Sequence, residues 1–107
     1  MTTATKADRE RFQALQDSGC VVCGEFHGHY QPPDIHHLVD GYRLGHQFTI
    51  PLCEWHHRGV PKAFMSCSET EKELGPSLAR SKIDFNISFG TERELLDRTN
   101  ALIGVTA

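Results

Sequence analysis

The chain has 107 residues, 38% of them hydrophobic, with a formal net charge of −3, seven histidines and four cysteines. That length gives one domain with a thin core, the kind that draws support from a metal or from disulfides. The negative balance weighs against a protein that grips nucleic acid by bulk electrostatics, because neutralisation of phosphates by Lys and Arg dominates that affinity. Residues 1–19 are polar and charged with no apolar run, and no stretch approaches the ~18 apolar residues of a membrane span. The expectation is a cytoplasmic protein, in which thiols stay reduced and paired cysteines hold metal rather than disulfides.

In chain order, residues 3–18 read as a helix with Phe12 and Leu15 on one stripe and Ala4 and Ala7 two turns earlier. Gly19 closes it. Its plain reading is a packing element. Cys20, Val21, Val22, Cys23 and Gly24 form a metal knuckle, with the glycine expected to let the backbone turn toward the sulfurs. Residues 25–34 read as a loop from their glycines and Pro32-Pro33, so His27 and His29 are surface histidines and second-choice ligands. A short strand follows at 35–39, which places His36 and His37 on opposite faces. Residues 40–47 are a glycine-bearing connection to a returning strand at 48–52, and Pro51 limits its pairing on one edge. A helix starts directly after Cys53 and ends near Gly59. Beyond it, Ser68 to Glu71 reads as a capping box opening a helix that stops at Gly75-Pro76, residues 77–89 as the next helix, and Thr91 to Glu94 as a second box before Leu95, Leu96, Leu102 and Ile103.

Two spacings carry the chemistry. Cys20 and Cys23 form C-x2-C, and Cys53 and His56 form C-x2-H, which is the pattern of a four-ligand structural zinc site. His36, His37 and His57 are then left without a structural task on elements that the zinc would pin together. A single divalent cation stabilises charge on a phosphorane and on a leaving oxygen, and a neutral histidine can deprotonate the attacking water. The assignment is His37 as general base, with His36 and His57 holding a catalytic Mg²⁺ or Mn²⁺. Arg58, Arg43 and Lys62 are the candidates for DNA phosphate contact, because much of the acid lies elsewhere, in Glu69, Glu71, Glu73, Glu92, Glu94 and Asp97. Trp55 reads as core and Cys67 as an ordinary buried thiol.

The pattern C-x2-C, then I-H-H, then T-I-P-L-C-x2-H-H-R, then F-x3-F-G-T-E-x-E-L-L resembles the HNH (His-Me finger) endonucleases, most closely the phage recombination-enhancement, RecA-dependent nuclease type. The resemblance spans residues 19–96. It implies the same roles for His36, His37 and His57, a 5′ phosphate and a 3′ hydroxyl as products, DNA as substrate, RecA-coated DNA as a partner, and the host cytoplasm as the compartment of a phage-encoded chain. The sequence departs from the broader motif where an asparagine often orients the base. Phe48 and Thr49 stand there, and only Thr49 can hydrogen-bond. It also has no histidine beyond His57 to serve as a third ligand, and no basic arm before Cys20.

The expected architecture is therefore α+β: one domain with an N-terminal helix (1–19), a zinc-clasped ββα-metal finger (20–59) and a helical tail (60–107). The competing expectations are a non-catalytic zinc module that binds DNA or a recombination or packaging protein, and a purely structural zinc protein with a protein partner.

Overall fold

A computed structural model describes residues 4–104. These form a small α+β fold of a two-stranded sheet and six helices, and none of the helices is long and apolar enough to cross a membrane.

Helix α1 (Lys6–Ser18) starts later than the hydrophobic pattern indicates. Thr5 is its cap, accepting from the Asp8 amide while the Asp8 carboxylate accepts from the Thr5 amide, a reciprocal pairing that fixes the first turn. Thr3 lies outside the described residues. At the other end Gly19 has φ 78°, and a Cβ there would meet the Tyr30 ring at 2.6 Å, so both backbone and space demand glycine. The buried stripe of α1 is Asp8, Arg11 and Leu15, while Ala7 is exposed. A reading based on apolar periodicity could not find a buried face that is two-thirds polar.

Helix α2 (Val21–His27) replaces the expected loop after the knuckle. Cys20 caps it, its sulfur accepting from the Cys23 amide, so the knuckle is itself the first turn of a helix. Gly24 sits inside that helix, and the left-handed residue is Gly28, with φ 70°. His27 is thus a helix-end residue, not part of a solvent loop.

Strands β1 (Asp34–His37) and β2 (Thr49–Leu52) pair antiparallel, His36 opposite Ile50 and His37 opposite Thr49. Both are shorter than read, because Val39 instead bridges to Arg43 around a tight turn at Gly41, φ 74°, which leaves Val39 exposed. All four residues of β2 are buried, with α1, α2 and α6 packed around them. Helix α3 (Glu54–Arg58) follows Cys53 at once and stops at Gly59.

Helix α4 (Cys67–Leu74) is capped by Ser66 with Glu69, two residues before the expected box at Ser68. The pattern at 68–71 misled because 66–69 satisfies the same motif and places the apolar residues better. Helix α5 (Lys82–Phe89) begins at the Ser81 cap rather than at 77. Residues 77–80 are a turn fastened to α3 by the Leu78 amide donating to the His56 carbonyl. Ile83 is exposed, while Phe85 and Phe89 are buried. Helix α6 (Glu92–Ile103) has the Thr91–Glu94 box as read, and it buries Leu95 and Leu96 but not Leu102. The core joins Val21, Val22, Ile50, Leu52, Trp55, Leu74, Phe85 and Leu95, each large side chain contributing roughly 1.5–3 kcal/mol on burial. Trp55 is core as expected, with its indole N–H donating to the Gly75 carbonyl at 2.8 Å.

Candidate functional site

Two helix starts build the first cluster. A single helical turn brings Cys20 and Cys23 together, and another brings Cys53 and His56 together, so the cap of α2 and the cap of α3 face each other. The four ligand atoms lie within 4.8 Å of one another, all buried, and the cysteines are free thiols. The His56 Nδ1 is 3.6, 3.6 and 3.3 Å from the sulfurs of Cys20, Cys23 and Cys53, and the Cys23 and Cys53 sulfurs are 3.9 Å apart. Tetrahedral zinc with ordinary bond lengths requires edges of about 3.5 Å from N to S and about 3.8 Å from S to S. These four edges fit that shape.

Its surroundings fit the same use. The His56 Nε2 donates to the Leu74 carbonyl at 2.8 Å, which leaves the Nδ1 lone pair facing the sulfurs. His27 Nε2 also reaches that carbonyl at 2.8 Å, and its ring stacks on His56 at 6.0 Å with an 8° tilt. His27 therefore supports the cluster from behind and is not one of its ligands. Neighbouring thiols and burial push the Cys23 thiol up. Three thiols this close cannot all ionise without a cation, so the donor set can hold a metal such as zinc. Cys67 stands apart, accepting from Arg80 at 2.9 Å.

His29 stacks on His27, ring centroids 6.1 Å apart, and the other four histidines divide between the two faces of β1, as alternation requires. On one face lie His36 and His57, ring centroids 5.0 Å apart. Each is backed by a carboxylate: His57 Nδ1 donates to Asp34 Oδ2 at 3.0 Å, and His36 Nε2 to Glu92 Oε1 at 2.6 Å. Burial would raise the Asp34 carboxyl, but hydrogen bonds from His57 and Arg58 overcome it and hold it below the ordinary range. The His36 hydrogen bond does the same for Glu92 against the effect of burial. On the other face His37 meets His46, with Nε2 to Nδ1 at 3.0 Å, and Arg43, whose Nη2 is 2.9 Å from Nδ1. Burial first, then Arg43, lowers the His37 pKa.

Sequence reasoning did not identify Asp34, Glu92 or His46. Asp34 was legible in principle, since it lies two residues before His36 and so on the same strand face. Glu92 carried no such signal, because its position is explained equally well by the start of α6. Thr49, the residue able to hydrogen-bond where an asparagine often orients the base, lies opposite His37 in the sheet. Its hydroxyl instead accepts from Arg11 and donates to the His46 carbonyl, because the β2 pleat turns it into the core. Of the proposed phosphate contacts, Arg58 pairs with Asp34 and Glu54, Lys62 pairs with Glu73, and Arg43 lies on His37. Among the described residues, no group of three or more metal-binding side chains converges other than the Cys₃His cluster.

Comparison with known families closes the question of kinship. A family model described as "recombination enhancement, RecA-dependent nuclease" matches residues 3–103, beyond the motif block at both ends. A search of curated proteins returns no match. With nearly its whole length matched, the chain belongs to the recombination enhancement, RecA-dependent nuclease family.

Proposed function

We propose that this protein is a DNA endonuclease of HNH type, in which β1, β2 and α3 form a ββα finger clasped at its base by zinc on Cys20, Cys23, Cys53 and His56. The observation that carries the reading is the pair of carboxylate-backed histidines, Asp34–His57 and Glu92–His36, brought within 5.0 Å on one face of the strand whose other face carries His37. A histidine that ligates a metal characteristically gives its other ring N–H to a carboxylate, which fixes its tautomer and raises its basicity. Asp34 does this for His57, leaving Nε2 as the ligand nitrogen. Glu92 does it for His36, leaving Nδ1.

A divalent cation such as Mg²⁺ or Mn²⁺ held by His36 and His57 would stabilise charge on the phosphorane and on the leaving 3′ oxygen. His37, kept neutral by burial and by Arg43, accepts a proton from the attacking water, so the products carry a 5′ phosphate and a 3′ hydroxyl. Arg58 sits beside the His36–His57 face and Arg43 against His37 on the other, while Lys62 pairs with Glu73 of α4. The ion pairs of Arg58 and Lys62 are solvent-exposed and weak, so these two cations can exchange a carboxylate for a phosphate. The family description supports a filament of RecA on DNA as the working context, and a phage or prophage origin is part of the same proposal.

One observation favours a second reading. Among the described residues no three-ligand group converges at His36 and His57, as expected of a zinc module that binds DNA without cutting it. The deciding experiment is cleavage of supercoiled and single-stranded DNA with added Mg²⁺ or Mn²⁺, with and without RecA, beside His37→Ala. The nuclease reading requires the native chain to cut and His37→Ala to bind DNA while losing ~10²–10⁴-fold in rate. DNA binding with no cutting under any condition establishes the second reading.

A further inference from the structure

Helix α1 grips the segment that precedes β2 at three nearly consecutive residues. Phe12 packs edge-on against the His46 ring, centroids 5.4 Å apart at 81°, and reaches His37 at 6.5 Å. Asp8 accepts from the Gln47 side chain at 2.8 Å. Arg11, buried, donates through Nε to the Thr49 hydroxyl at 2.9 Å and through Nη2 to the Thr49 carbonyl at 2.5 Å. Its Nη1 donates to Asn100 Oδ1 of α6 at 2.9 Å, and the Thr49 hydroxyl passes the constraint on to the His46 carbonyl at 2.8 Å. A guanidinium held among neutral acceptors is costly to bury, and burial does lower the Arg11 pKa. What it provides is a fixed place for the residues between His46 and Thr49, and the side chain that leaves this segment toward the strand is His46, Nδ1 to Nε2 of His37 at 3.0 Å.

We propose that His46, seated by the Arg11–Thr49 clamp, is the positioning residue of His37 and holds it in the tautomer with the proton on Nε2. The proposal rests on the reading of His37 as base, and it states which nitrogen does the work. With the Nε2–H donated to His46 Nδ1, the lone pair on His37 is at Nδ1, and that is the nitrogen that takes the proton from water. The other tautomer would put a proton on Nδ1 and leave no basic nitrogen outside the His37–His46 bond. Arg43 bears on the same ring, its donor-only Nη2 lying 2.9 Å from Nδ1 and 3.1 Å from Nε2. Arg43 is exposed, and an incoming phosphodiester is the stronger partner for its charge, so substrate draws it off Nδ1 as water arrives. By this account α1 is part of the catalytic apparatus, not packing alone.

Two variants test it in the full chain. His46→Phe keeps a ring against Phe12 but removes the acceptor, and His46→Asn restores an acceptor oxygen near the place of Nδ1. With zinc content and thermal midpoint as controls for folding, His46→Phe should lower kcat for DNA cleavage by about 10- to 100-fold with KM within about twofold, and His46→Asn should recover most of the loss. Native cutting by His46→Phe, or no recovery by His46→Asn, overturns the proposal. A native chain that does not cut, or a His37→Ala chain that does, is a failure of the base reading and not of the pairing. The pairing is judged separately by ¹⁵N NMR of the His37 ring at a fixed pH of high neutral form: protonated Nε2 and bare Nδ1 in the native chain, with that preference lost in His46→Phe, upholds it. A native His37 protonated on Nδ1 overturns it whatever the cleavage data show.

Discussion

His56 and His57 are neighbours in sequence and opposites in structure. His56 is wholly buried, one nitrogen on a backbone carbonyl and the other aimed at three sulfurs. His57 keeps a quarter of its side chain exposed and gives its Nδ1 to the carboxylate of Asp34. One turn of α3 thus feeds a closed cluster with all four donors converged, and beside it an open face whose donors are braced but not converged. The proposed function assigns the two clusters different tasks. A structural metal must saturate its ligands and exclude water, whereas a catalytic one must keep positions for water and substrate, so its protein donors are few and are held by outer partners.

Breaking the closed cluster should have the largest effect. Cys20→Ser, or removal of metal by a strong chelator, is expected to abolish the cooperative thermal transition, because binding and folding are one equilibrium in small zinc domains and the metal contributes roughly 10–16 kcal/mol. Circular dichroism together with metal analysis reads both. Unchanged stability with one zinc per chain in Cys20→Ser would remove that residue from the site.

The open face should respond in the opposite way. His57→Ala is expected to fold, retain one zinc and lose ~10²-fold or more of cleavage, whereas His56→Ala should lose zinc and fold together. Equal thermal damage from both would mean that the two histidines serve one structural site. Asp34→Asn sharpens the contrast further. It leaves His57 in place without its anionic partner, so the cation requirement for cleavage should rise by ~10–100-fold, while stability changes by no more than about 1 kcal/mol.

The smallest effect concerns pH. Burial and then Arg43 hold the His37 pKa below its ordinary value, so His37 stays unprotonated further into acid, and if it is the base, as proposed, the acid limb of the rate profile should fall below about pH 6.5. Arg43→Ala removes a repelling cation and should move that limb upward. A downward shift would contradict the placement of Arg43 against His37.

The sequence made several of these features plain, for reasons of short range. C-x2-C and C-x2-H each lie within a single helical turn, so spacing alone dictates that each pair meets. Strand alternation separates His36 from His37 before any fold is known, and the Thr91–Glu94 box marks the start of α6 from local chemistry.

Only the tertiary structure decided which groups stand behind those residues. Glu92 reaches His36 from 56 positions away and Arg11 reaches Thr49 from 38, distances across which periodicity carries no information. The buried face of α1 escaped detection because Asp8 and Arg11 are polar, and their burial is tolerable only once Gln47, Thr49 and Asn100 supply partners. Local patterns fix where a turn begins and which face a side chain takes. Whether a polar side chain can be buried, and which partner orients it, is settled only when distant segments pack.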